Sequence, residues 1–152
     1  MKKLFALILT VCLLATMSVT AFAANTTGGD ADITTSIAPT YTVTIPADVN
    51  VAFNATETAF GTVEVTASQI HPDKCIKVAL ATDNELNNAI DNTKVIPYAI
   101  KDSEGAEFTS ATYLTEGDKT ELSIHITTND WNAAYAGEYS DTVTFTITYE
   151  DK

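Results

Sequence analysis

Few residues of this sequence have side chains that could carry out catalysis, and these residues are scattered along the chain. The two histidines are His71, which precedes a proline, and His125. Alternation through Glu121, Ser123 and His125 predicts that His125 lies on the polar face of a strand. Hydrolysis needs a nucleophile beside a base, or two carboxylates facing each other in a cleft. We find neither pattern, and therefore predict a protein that is not an enzyme and has no cofactor.

A metal site would have to come from the amide-rich, acidic segment of residues 83–92. Its oxygen-bearing side chains include Asp83, Asn87 and Asp91, and calcium prefers carboxylate and amide oxygens as ligands. Their spacing does not match the calcium-loop pattern of alternating Asp and Asn followed by glycine. We therefore expect a polar loop with no bound metal, and these three residues are the weak calcium candidates.

Two aromatic residues near the C-terminus could contact a sugar ring. Trp131 is the single tryptophan, and Tyr135 follows it by four positions. The run from Asn129 as cap to Gly137 as terminator predicts a short helix with both rings on one face. Such rings either stack on a glycan or pack at the end of a sandwich. We favour packing, and keep an extracellular glycan- or cell-wall-binding module as the alternative function.

The composition indicates which elements position these residues. Beyond residue 23 the chain contains 23 Thr, 11 Ile and 8 Val but only 4 Leu, and β-branched side chains favour strands. Alternating apolar and polar residues predict strands over 41–45, 49–53, 63–67, 76–80, 96–100, 122–126 and 139–149. We predict an all-β fold, an antiparallel Ig-like Greek-key β-sandwich of about seven to nine strands. A short helix precedes its last strand.

The N-terminus has the three parts of a secretory signal peptide. Lys2 and Lys3 precede an apolar run that is shorter than a membrane span, and Ala21 and Ala23 form a small-residue cleavage site. We predict cleavage after Ala23, a flexible polar extension over residues 24–38, and one sandwich domain over 39–152. The protein is then secreted and extracellular or attached to a cell surface. We expect no integral membrane segment in the mature chain.

The net charge argues against nucleic acid and anionic membranes as partners, and the cysteine content excludes an intramolecular disulfide. The formal net charge is −12, and beyond the leader six lysines against 20 acidic residues give −14. A nucleic-acid binder needs a basic footprint, and an anionic membrane surface attracts basic segments, so neither is an expected partner. Cys75 is the one cysteine beyond the leader, which excludes an intramolecular disulfide. Its strand pattern places Cys75 on the polar face. We expect it to be an inert strand residue, and the alternative is that it forms an intermolecular disulfide.

The C-terminal stretch is the most specific pattern in the sequence. Its row of alternating large residues is Tyr139, Val143, Phe145, Ile147 and Tyr149. Gly137 two residues before Tyr139 is similar to the tyrosine corner of Ig-type sandwiches, in which the hydroxyl binds upstream backbone. A complete Ig-type domain has a further strand after this one, whereas three residues follow Tyr149. We therefore expect a sandwich that lacks one strand or that a strand from elsewhere completes.

This stretch resembles the ends of fimbrial subunits and of secreted bacterial spore-coat-U-like domains. Those families end in an alternating strand with a glycine at its start and a tyrosine near the terminus, as Gly137 and Tyr149 do here. The resemblance implies an incomplete Ig-like fold and assembly by donor-strand complementation, in which an extension of one subunit completes the next. Residues 32–37, with Ile33 and Ile37 as its large apolar residues, are the candidate donor.

A weaker similarity is to the WxL cell-wall domains, with Phe145 and Ile147 standing where that family has tryptophan and leucine. Taken together, these patterns predict a non-enzymatic structural or adhesive surface protein, and the resemblance implies assembly by strand complementation. Its expected partners are further copies of itself, other surface proteins or cell-wall glycans.

Overall fold

The computed structural model describes residues 30–152, and the predicted signal peptide lies outside the described residues. Residues 36–152 form a compact unit. Within it the strands are β1 Thr40–Thr44, β2 Glu57–Gln69, β3 Lys74–Ala81, β4 Glu85–Asn88, β5 Val95–Pro97, β6 Ala99–Asp102, β7 Ser110–Tyr113, β8 Lys119–His125, β9 Tyr139–Ser140 and β10 Thr144–Asp151. The helix α1 spans Thr128–Ala133.

The strands form three antiparallel sheets. The first has the order β1-β2-β8-β6, the second β10-β3-β7 and the third β5-β4-β9. The first sheet follows the A-B-E-D order of an Ig-type sandwich, and the β3–β10 pair stands where strands C and F pair. The all-β antiparallel sandwich predicted from the sequence is therefore confirmed.

The core lies between the first and second sheets and is made largely of β-branched residues. Val63 and Val65 of β2 and Ile76 and Val78 of β3 have no exposed surface. Leu122 and Ile124 of β8 are buried too, and each alternates with a polar neighbour as the sequence pattern predicted. Burying a side chain of this size contributes about 1.5–3 kcal/mol to folding. Since no intramolecular disulfide can form within residues 30–152, the stability of the fold comes from this core.

The short helix forms where it was predicted, but its ends differ. Its N-cap is Thr127 and not Asn129, because the Thr127 Oγ1 accepts the backbone N–H of Asp130 at 3.2 Å. The helix ends at Ala133, since Ala134 is already extended. Tyr135 therefore lies beyond the helix, and the prediction that it shares a helix face with Trp131 is wrong.

Several predicted strand boundaries are also wrong. Residues 49–53 form no strand, although their apolar residues alternate. The predicted loop of residues 83–92 contains β4, whose polar sequence gave no strand signal. The segments 96–100 and 139–149 are each divided between two sheets. A strand needs a partner as well as a pattern, and the partner is set by the global topology.

Cys75 shows how a position on the outer face can still be buried. It alternates with the core residue Ile76, so it lies on the face opposite the core, as predicted, yet it is only 3% exposed. β3 is the central strand of its sheet, and the Cys75 Sγ lies 3.7 Å from the carbonyl oxygens of Glu150 and Asp151. The alternative of an intermolecular disulfide requires an accessible thiol, and this burial argues against it.

The turn at residues 115–118 links the two main sheets. It joins β7 of the second sheet to β8 of the first. The Asp118 carboxylate accepts the backbone N–H groups of Leu114 at 2.7 Å and Thr115 at 2.9 Å. These two donors lower the pKa of the Asp118 carboxyl below its usual value, because they stabilise the charged form.

Candidate functional site: an open seam between two edge strands

The outer edge of β10 is a free sheet edge beside exposed apolar surface. β10 pairs with β3 along its whole length, and among the described residues no strand pairs with its other edge. Ile147 lies opposite Val78, which is fully buried, but Ile147 itself is 37% exposed. A core-facing residue is this exposed because nothing covers it from the side. The edge therefore offers both backbone hydrogen-bonding groups and apolar surface.

The edge strand of the other main sheet, β1, faces β10 across the sandwich. The ring centroids of Tyr41 in β1 and Tyr149 in β10 are 5.7 Å apart. The Tyr149 hydroxyl also accepts the backbone N–H of His71 at 2.9 Å. We call the gap between these two edges the seam. It is closed at this end by the tyrosine pair.

Toward the start of β10 the seam widens into a groove of about 860 Å³. One wall is the segment that follows β1, and the other is residues 137–143. Core side chains form the floor, among them Phe60, Ile96, Ile100, Ile124 and Phe145. Phe60 and Phe145 are in contact, with ring centroids 6.1 Å apart. The groove is thus an opening into the core of the sandwich.

The first wall is residues 45–55, which we call the strap. Its apolar side chains include Val49, Val51 and Phe53, and Phe53 is 77% exposed. The Phe53 ring meets Trp131 edge-on with centroids 5.6 Å apart, and the Trp131 indole N–H donates to the Ala55 carbonyl at 2.8 Å. Among the described residues, the strap's one backbone hydrogen bond outside regular strands runs from the Ala55 N–H to the Ala52 carbonyl. The strap is therefore held mainly by side chains.

The second wall is fixed by a tyrosine corner. The Tyr139 hydroxyl donates to the Tyr135 carbonyl at 3.0 Å and accepts the Tyr135 N–H at 3.2 Å, as the sequence pattern predicted. Gly137 has a φ of +152°, and a Cβ there would lie 2.5 Å from the Asn88 amide nitrogen. Glycine is favoured at this position because side chains rarely adopt this backbone conformation, and a Cβ would also displace the Asn88 amide.

A polar cluster at the end of this wall was not predicted from the sequence. The Tyr98 hydroxyl donates to the Asp141 carboxylate, and the Thr82 hydroxyl contacts both groups, at 2.7 Å from Tyr98 and 3.2 Å from Asp141. Burial raises the pKa of Tyr98 well above its usual range, and the hydrogen bond to Asp141 raises it further. The three residues are far apart in sequence and share no motif, so only the fold brings them together. The cluster holds residue 141 at the start of β10.

The histidines lie away from the groove. Ser123 Oγ and His125 Nε2 are 2.9 Å apart, which pairs a nucleophile type with a base type on adjacent outward positions of β8. Within residues 30–152 no carboxylate is hydrogen-bonded to the other ring nitrogen of His125, and His125 lines neither described cavity. His71 lies in an exposed turn, where its Nδ1 accepts the Asp73 N–H at 3.3 Å. The geometry supplies no orienting third group for a triad.

The calcium candidates serve local turns. The Asp83 carboxylate accepts the N–H of Glu85, and the Asp91 carboxylate accepts both the N–H and the hydroxyl of Thr93. The Asn87 amide donates to the Glu85 carbonyl at 3.1 Å. In the part of the chain that the structure describes, no group of three or more His, Cys, Asp or Glu side chains is arranged to hold a metal ion.

The two aromatic residues proposed for glycan contact have different environments. Trp131 packs against the core and anchors the strap, so its ring is not free to form an open platform. Tyr135 is exposed, and the Lys94 ammonium lies 5.0 Å from its ring centroid. This arrangement favours packing for Trp131, the option preferred from the sequence.

The candidate donor segment lies entirely at the surface. Residues 30–39 belong to no helix or strand, and Ile33 and Ile37 are 99% and 67% exposed. Because these two large apolar side chains are exposed, they are free to pack against another protein surface.

Comparison with known proteins leaves the resemblances as predictions. A scan against protein-family models matches none of them, and a search of curated proteins finds no match. Within residues 30–152, no helix is long and apolar enough to cross a membrane.

Proposed function

We propose that this protein is a non-enzymatic structural or adhesive component of a bacterial cell surface, secreted by its N-terminal leader, that works by accepting an additional β-strand at the seam. The observation that carries this proposal is the free outer edge of β10 beside the 37% exposed, core-facing Ile147. An unpaired edge with apolar surface is a template for strand addition and aggregates unless something covers it.

Residues 32–37 of a second copy are the proposed donor. In an extended segment Ile33, Thr35 and Ile37 point to one side, so the two isoleucines can enter the seam together. The backbone of the segment would pair with β10 and supply affinity, while its isoleucines would cover Ile147 and fill the groove. Such contacts are heterologous, so a series of them builds a fibre wherever the rotation between copies does not close a ring.

The test is light scattering on the purified secreted chain over a range of concentrations. We expect a ladder of oligomers that the Ile33→Asp/Ile37→Asp variant loses, because it places charges in an apolar groove. The matched control is Thr34→Asp/Ser36→Asp, which adds the same two charges on the opposite side of the segment and leaves the ladder in place.

A monomer at every concentration, or equal loss of oligomers in both variants, refutes the donor role of residues 32–37. Either result favours the alternative function, a glycan- or cell-wall-binding module. Retention of the folded chain on cell-wall preparations would be the measurement that favours it.

A further inference from the structure

The strap has features that its role as a loop between β1 and β2 does not require. Its apolar residues alternate as in a strand, yet the structure gives them no strand partner. Val51 packs against the core, and Val49 and Phe53 line the groove that an added strand would fill. The strap therefore covers part of the apolar surface on which strand addition depends.

We propose that the strap is an autoinhibitory cover of the seam, released when an incoming strand displaces it. This inference rests on the proposed function and adds its regulation. The strap and a donor segment compete for the same groove residues, so the affinity for the donor is reduced by whatever holds the strap in place.

Besides the packing of Val51 against the core, two contacts with Trp131 hold the strap. One is the edge-on contact with the Phe53 ring, and the other is the hydrogen bond from the indole N–H to the Ala55 carbonyl. An aromatic pair of this kind and a single hydrogen bond are each weak enough to be broken by a competing strand. A cover fixed by a full ladder of backbone hydrogen bonds could not be displaced so easily.

The experiment measures binding of a fluorescein-labelled peptide of residues 30–39 by fluorescence anisotropy. The binding partner is the purified chain carrying Ile33→Asp/Ile37→Asp, so that its own donor segment does not compete. In this background we expect Phe53→Ala and Trp131→Phe each to bind the peptide about two- to ten-fold more tightly. Ile90→Ala, which removes another highly exposed apolar side chain (92%) from the loop after β4, is the matched control and should bind like its parent.

Each outcome is decisive. Unchanged or weaker peptide binding by Phe53→Ala overturns the autoinhibitory role of the strap, because Phe53 would then be inert or part of the binding wall. If the parent still binds the peptide, the proposed function stands. No binding to the parent or to any variant removes both proposals together. Circular dichroism melting shows whether the Trp131→Phe variant is folded. Phe53→Ala decides the question if it is not, because the Phe53 side chain is 77% exposed.

Discussion

A single hydroxyl group sets the shape of one groove wall. The Tyr139 hydroxyl satisfies both the N–H and the carbonyl of Tyr135, so it ties β9 to the backbone that leads away from α1. Without it, two backbone groups at this corner would depend on water. The pattern of Gly137 and Tyr139 made this contact predictable from the sequence, because the interaction is local and its geometry recurs in Ig-type sandwiches.

We expect Tyr139→Phe to lower the free energy of unfolding by about 1 kcal/mol, which is the typical net contribution of a lost hydrogen bond. Urea denaturation followed by Trp131 fluorescence measures it. Tyr135→Phe is the matched control, since the exposed Tyr135 ring can lose its hydroxyl while its backbone still binds Tyr139. Equal loss in both variants would show that the corner contributes nothing specific.

Asp118 gives the protein a pH-dependent contribution to stability. Its pKa is lowered in the folded state by the N–H groups of Leu114 and Thr115, so the contribution is fully present above the unfolded-state pKa of about 4. It is lost as the pH falls through the lower folded-state pKa. We therefore expect Asp118→Asn to destabilise the chain at pH 7, and the difference from wild type to shrink as the pH falls below about 4. Denaturation midpoints at several pH values test this, and a difference that stays constant with pH would contradict it.

Among the elements, β10 combines the clearest sequence signal with the least complete packing. Its alternating residues identify it as a strand, and its register puts Phe145 opposite Leu80 and Ile147 opposite Val78. Lys77 on the outer face forms an ion pair with Glu150, and Lys74 forms one with Asp151 at the end of the ladder. Such exposed pairs contribute little. Attachment of β10 to the fold therefore depends on its ladder with β3 and on its aromatic contacts.

Phe145→Asp should destabilise the fold by at least about 2 kcal/mol, because it removes the contact with Phe60 and places a charge over the core. Circular dichroism melting measures the loss. Thr146→Asp, one position along on the exposed outer face, is the control and should melt like wild type. A Phe145→Asp variant as stable as this control would mean that β10 does not cover the core.

The strap and β4 mark the limit of what a pattern can predict about elements. Residues 49–53 alternate like a strand but form part of a groove wall, whereas β4 has a polar sequence and pairs with two neighbours. Gly61 helps to place the strap, because a Cβ there would come within 3.1 Å of Pro46. Contacts of this kind join residues distant in sequence, so alternation alone could not identify them.

For the whole molecule, composition predicted the class of fold, and topology supplied the candidate site. The abundance of β-branched residues and the dearth of leucine sufficed for an all-β sandwich. The groove, by contrast, is assembled from the strap, the tyrosine corner and the Tyr98–Asp141 cluster, which no spacing connects. The formal net charge of −12 is also a property of the whole chain.

The buried thiol makes the exchange of the edge strand observable. Cys75 lies beneath the backbone of Glu150 and Asp151, so a thiol reagent can reach it only when the end of β10 lifts from β3. The rate of labelling in the folded protein therefore reports how often this edge opens. A strand that pairs with the outer edge of β10 would hold it against β3 and slow the labelling, so the reactivity of one native sulfur atom measures how often the end of β10 opens.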